Sequence, residues 1–179
     1  YLVSPDEKVK LQKAMWDEER HRTSATIARP AKVIAQIAGF SIPEGKSFLI
    51  VKEDRIGKDH PFSSEKLSPV LAIFKYEGGF DTVLKMVEQI YEVGGKGHSC
   101  GIYSFDDDHI HRLALLAPVS RMMVRQAQSK ANAGAFDNGM PMTSSMGCGI
   151  WGGNITNENV NVKHYMQLTW VSRPIPEDR

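Results

Sequence analysis

Residues 70–124 read VLAIFKYEGGFDTVLKMVEQIYEVGGKGHSCGIYSFDDDHIHRLALLAPVSRMMV. Val70 to Tyr76 is an apolar run suited to a strand. Phe80, Val83, Leu84, Val87, Ile90 and Tyr91 then recur at helical spacing. Phe80 to Val93 is therefore an amphipathic helix, closed by Gly94 and Gly95. Ser99 to Phe105 is the next strand. Asp106, Asp107 and Asp108 cap a helix from His109 to Leu116, and Arg121 to Val124 is a further strand. Strand, helix, strand, helix, strand with short connections is the pattern of βαβ units. It predicts an α/β fold built on a parallel sheet with helices on both faces. In such a sheet, ligands gather at the carboxyl ends of the strands.

Upstream, Ser4-Pro5-Asp6-Glu7 is a helix start, and Pro30 to Ala38 is a second helix ended by Gly39. Phe48 to Val51 is a buried strand. Downstream, Gln126 to Met140 reads as a polar loop. Residues 143–164, TSSMGCGIWGGNITNENVNVKH, follow it with glycines at 147, 149, 152 and 153 around Cys148 and Trp151. A flexible linker carries serine between its glycines, not indole and thiol. This loop is expected to wrap against a ligand, a neighbouring backbone or a tight core turn. Tyr165 to Val171 alternates like a last strand, and with no obvious partner it points to the edge of another domain or subunit.

An apolar content of 41% and a charged content of 24% in 179 residues suit a globular domain with a real core. A net charge of +1 with scattered basic residues gives no case for nucleic acid. No apolar run approaches the ~20 residues of a membrane-spanning helix. Two cysteines, Cys100 and Cys148, have neither zinc spacing nor the density of a disulfide scaffold, so a cytoplasmic setting is expected. The opening YLVSPDEK is not a signal peptide and reads as the middle of a longer polypeptide.

Several side chains could carry chemistry. Glu65, in SSEKLSP, is either a solvated acid beside Lys66 or a carboxylate that bonds a ribose diol or acts as a base. His98, in GGKGHS, is either a structural hydrogen-bonder or a proton carrier. Cys148 is a nucleophile only if a base or a helix N-terminus lowers its pKa, and otherwise a small buried residue. Cys100 belongs to the core. His109 and His111 point to different faces, against a metal pair.

Together, IAGFSIPEG, EKLSPVLA, GGKGHS and GCGIWGGNITNENVNVKH resemble the CoA-acylating aldehyde dehydrogenases, over nearly the whole chain. The tail MTSSMGCGIWGGNITNENV looks closest to members whose substrate is sulfoacetaldehyde. The resemblance implies an α/β aldehyde dehydrogenase catalytic domain, partial over residues 1–162. Residues 163–179 would then be an oligomerisation strand and tail, and the assembly a homo-oligomer. It also implies oxidation of a small aldehyde with NAD or NADP through a cysteine thioester, with coenzyme A as co-substrate taking the acyl group. Glu65 matches the glutamate that holds the nicotinamide ribose in a motif written E-x-F-G-P. Leu67 stands here for the aromatic of that motif. His98 matches the histidine of the G-H-[ST] motif, with an acid–base role. Arg125, Gly147 and Cys148 fall where the substrate would bind.

Two departures accompany the resemblance. The family's nucleophilic cysteine lies N-terminal to all of these motifs, and neither Cys100 nor Cys148 matches it. The segment after Arg121 usually continues with an asparagine lining the aldehyde pocket, and Arg125 stands there instead. A guanidinium in that place would offer a planar fork to a sulfonate or carboxylate, unless it is simply a surface arginine at a strand end. A non-acylating aldehyde dehydrogenase giving the free acid, or an oligomerisation module without chemistry of its own, are the competing readings.

Overall fold

The computed structural model describes residues 1–176. The chain divides into two compact units, Tyr1–Lys96 with Ser104–Pro118, and Gly97–Tyr103 with Val119–Arg179.

The first unit begins with helix α1 (Pro5–Met15). Ser4 and Glu7 close a capping box, Oγ of Ser4 accepting from the Glu7 amide and Oε2 of Glu7 from the Ser4 amide at 2.9 Å. Helix α2 (Ala31–Ile37) follows, then strands β1 (Leu49–Glu53) and β2 (Val70–Phe74), paired parallel with Leu49 against Val70. Residues 1–3 line the far edge of β1, where the Val3 amide donates to the Ile50 carbonyl at 2.9 Å. Leu11, Met15, Ile34, Leu49, Val51, Phe62 and Val70 form the core, with Trp16 edge-on to Phe62. Burial alternates along β1, so Glu53 points inward with Leu49 and Val51. Its carboxylate is answered by Lys8 at 2.6 Å.

Helices α3 (Phe80–Gly94) and α4 (Asp107–Leu116) belong to the same unit. Asp106 caps α4 by accepting from the amides of Asp108 and His109. His109 stacks on Phe80 and Arg112 pairs with Asp81, so this histidine serves helix packing. No helix among the described residues is long and apolar enough to cross a membrane.

In the second unit, β3 (Cys100–Ile102) and β4 (Met122–Val124) pair parallel, with an added bridge between Gly97 and Val119. The expected parallel pairing is present, but as two sheets of two strands rather than one sheet. The polar stretch after β4 contains a short helix, α5 (Gln128–Ala131), that no apolar periodicity announces. Residues 145–160 fold back on themselves. Ser145 accepts from Val160, Gly147 donates to Glu158 at 2.9 Å and Gly149 donates to Thr156 at 2.9 Å.

The strand expected over Tyr165 to Val171 is absent within the chain. A 3₁₀ turn covers Val162–Tyr165, and residues 166–176 have no regular structure. The reason is physical: a strand is stable only when paired, and this segment pairs with none of the described strands. Tyr165, Leu168, Trp170 and Val171 are left exposed.

Candidate functional site

Glu65 and Leu67 lie in the first unit, where the 3₁₀ turn Pro61–Ser63 hands the chain to β2. Arg22 donates through one Nη1 to both the Glu65 backbone carbonyl (2.9 Å) and its Oε2 (3.0 Å). That fixes the carboxylate while leaving its side chain 53% exposed. Glu65 and Arg22 line a cleft of about 500 Å³ with Trp16, Arg20, Ser64 and Gly94. Leu67 is exposed and sits at φ 49°, in the left-handed region. Its carbonyl accepts from the Ala28 amide at 2.8 Å, which ties the motif to the segment after α1. A side chain forced into that region costs about 1 kcal/mol or more.

Between them, Lys66 runs back under the motif and donates to the carbonyls of Phe62 and Ser64, both at 2.8 Å. Burial pushes its pKa down to about 8, against the pull of Glu53 and Glu65. The unfolded chain binds this proton more tightly than the folded one. Stability attributable to Lys66 is therefore lowest below about pH 8 and rises with pH until the unfolded lysine also deprotonates near 10.5. Denaturant melts of the wild type and Lys66→Met should show the wild type gaining on the variant by roughly 3 kcal/mol across that window. A difference that stays flat with pH would mean the ammonium is not desolvated.

His98 lies in the second unit with Arg125, Gly147 and Cys148. Its side chain is exposed, and its carbonyl is held by Arg121 Nη1 at 3.1 Å. Gly147 and Cys148 are buried in the folded-back loop. A Cβ on Gly147 would come within 2.0 Å of the Thr156 carbonyl oxygen. The Cys148 amide donates to Asn154 Oδ1 at 2.8 Å, and the residue is 7% exposed.

Gly147 and Cys148 are thus packed inside the folded-back loop, with the Gly147 position closed to any side chain. Of the alternatives for Cys148, the small buried residue is the one observed.

Arg125 stands apart from these two. It follows β4 at the carboxyl end of the β3–β4 pair, whereas His98 precedes β3 at the amino end. The parallel ladder from Gly97–Val119 to Ile102–Val124 runs between them. Arg125 is exposed at φ 51°, and its amide donates to the Ile102 carbonyl at 2.8 Å. The structure therefore joins His98, Gly147 and Cys148 but sets Arg125 at the opposite strand ends, where ligands of parallel sheets gather.

Sequence reasoning missed Arg22 and Arg121. Both act on backbone carbonyls far along the chain, and no local pattern signals such a partner. Arg22 sits in the charged run DEERHR, which reads only as a solvated face.

A sulfoacetaldehyde dehydrogenase of an Acholeplasma species is 45% identical, over 96% of this chain and 36% of that protein. Its acylating counterpart from Bilophila wadsworthia is 38% identical over 98% of this chain and 38% of that protein. Among solved structures, an acetylating aldehyde dehydrogenase from Geobacillus thermoglucosidasius superposes with a TM-score of 0.86 at 30% identity, over 99% of this chain and 39% of that one. No family model matches the chain. The chain spans little more than a third of the length of these relatives.

Proposed function

We infer that this chain, homologous over nearly all its length to the acylating aldehyde dehydrogenases, is part of an enzyme of that activity. The enzyme converts an aldehyde to its acyl-CoA with NAD or NADP, and sulfoacetaldehyde is the substrate favoured here. The observation that carries the reading is the 45% identity to a sulfoacetaldehyde dehydrogenase across 96% of the chain.

Glu65 suits a ribose diol. Its carboxylate is exposed on the rim of a cleft, oriented by Arg22 and free of deeper burial. Two hydroxyls donating to one carboxylate is the interaction that geometry allows. The nicotinamide, when bound, supplies the electron acceptor. The chain's own part is to hold the ribose at Glu65 and to offer the exposed imidazole of His98 as a proton carrier. Arg125, at the other end of the β3–β4 ladder, would be the alternative anchor for the anionic end of the aldehyde, since a two-carbon substrate does not span from there to His98. Tyr165 to Val171 would complete a strand in a homo-oligomer, since the apolar side chains along it are exposed. Two free buried thiols suit a cytoplasmic setting.

The test compares the full-length enzyme with this chain alone. The full-length enzyme should reduce NAD or NADP with sulfoacetaldehyde only when coenzyme A is present, and yield the acyl-CoA. The chain alone should be inactive, because neither Cys100 nor Cys148 occupies the nucleophile's place. Formation of free acid without coenzyme A would put the enzyme among non-acylating dehydrogenases.

Glu65→Gln in the full-length enzyme should weaken cofactor use or slow hydride transfer about tenfold or more. A hydrogen bond to a charged group is worth ~1.5–3 kcal/mol. Coenzyme A affinity should not change. Loss confined to coenzyme A binding would assign Glu65 to the wrong ligand.

A further inference from the structure

Arg121 is 7% exposed, and every partner it has among the described hydrogen bonds is a backbone carbonyl. Nη1 donates to His98 at 3.1 Å. Nη2 donates to Gly147 at 2.8 Å and to Asn157 at 2.9 Å. Three segments remote in sequence therefore meet on one guanidinium: the GGKGHS turn and both arms of the glycine loop. Among the described residues no carboxylate pairs with it. Burying a cation against neutral acceptors is costly, so its place here rests on geometry rather than on charge pairing. A lysine's point charge lacks the flat fork that reaches three carbonyls at fixed angles.

A second contact fixes the same junction. Gly97 adopts φ 110°, and a Cβ there would lie 2.7 Å from Cys148 Cβ and 2.8 Å from the Gly152 nitrogen. The Ser120 amide donates to the Gly97 carbonyl at 3.0 Å. The backbone on both sides of His98 is thus clamped: Gly97 lies against the loop, and the His98 carbonyl is held by Arg121. The imidazole alone is left exposed.

We propose that Arg121 is the positioning residue for His98, locking its backbone to the glycine loop so that the exposed imidazole has a single direction. The proposal rests on the reading of His98 as the acid–base group. Displacing a reacting group by about 1 Å can cost on the order of 100-fold in rate.

The experiment is a double-mutant cycle in the full-length enzyme between Arg121→Lys and His98→Gln. Arg121→Lys should lower kcat roughly 10- to 100-fold, with KM for nicotinamide cofactor and coenzyme A within about threefold. The pH limb of kcat that His98→Gln abolishes should move in Arg121→Lys. The double variant should be no slower than His98→Gln alone. Hydrogen exchange should quicken at residues 97–99, 147–149 and 156–158 together.

Losses that multiply in the double variant overturn the proposal and leave the role of His98 standing. Full activity of His98→Gln removes the acid–base reading and the proposal with it. Exchange that quickens at only one of the three segments also overturns it. If Arg121→Lys fails to fold, Arg121→Gln enters the same cycle, because its neutral amide still donates to one of the carbonyls without a buried charge.

Discussion

Replacing Gly147 with alanine should abolish the folded second unit. The backbone at this position has an ordinary φ, so the objection to a side chain is space rather than strain. An added Cβ would stand 2.0 Å from the Thr156 carbonyl oxygen, 2.6 Å from its carbon and 2.8 Å from Cγ2. Two of these are backbone atoms, which cannot rotate away. Relief requires the two arms of the loop to part. That breaks the bonds from Gly147 to Glu158 and from Gly149 to Thr156, and pulls the Gly147 carbonyl off Arg121. The guanidinium is then buried with one acceptor fewer. A cost of about 4 kcal/mol or more follows from overpacking combined with lost buried hydrogen bonds. That approaches the whole stability of a small unit.

Gly153→Ala is the control. It has φ 71° but nothing within 4 Å of an added Cβ, so only backbone strain of about 1 kcal/mol applies. Thermal melts and exchange of the β3 and β4 amides would separate the two. Equal and small losses for both variants would mean that the loop arms do not approach as closely as described.

Most of the secondary structure was legible because its signals are local. The Ser4–Glu7 capping box, the aspartate cap of α4 and the 3.6-residue stripe of α3 each lie within a few residues. The parallel sense of β3 and β4 followed from the alternation of strands and helices, whereas β1 and β2 are joined without an α-helix and their pairing was not announced. What local patterns do not carry is which edges meet. The sheet therefore appears as two pairs, and Tyr165 to Val171 makes no strand without a partner.

The site divides in the same way. The motifs around Glu65 and His98 were visible as short strings, and the structure gives both side chains exposure. Their anchors were not visible, because Arg22 and Arg121 bond to carbonyls from other segments, and any residue type supplies a carbonyl. The positive φ of Leu67 and Arg125 was equally hidden, since both are residue types that rarely adopt it. In the motif around Glu65, leucine and serine stand where an aromatic and a glycine are usual, and the strained residue is the leucine.

The conformation of Arg125 gives its substitution two effects of opposite sign. The φ of 51° is a region in which asparagine is several-fold enriched and arginine is not. The bond from its amide to the Ile102 carbonyl holds it there. Asparagine is also the residue that the family resemblance sets at this place. Arg125→Asn should therefore stabilise the chain by roughly 0.5–1 kcal/mol through relief of backbone strain. The same change removes the guanidinium from the carboxyl end of β4. If that group holds a sulfonate, kcat/KM of the full-length enzyme for sulfoacetaldehyde should fall by about 2–4 kcal/mol, or ~30- to 1,000-fold. Acetaldehyde and propionaldehyde should be spared or improved. If the guanidinium is held there at the expense of local stability, a loss confined to the charged aldehyde would identify its task as anion binding. Equal losses for charged and uncharged aldehydes would make Arg125 structural. A variant no more stable than the wild type would show that the left-handed conformation carries no strain, leaving the kinetic comparison alone to decide the role of the charge.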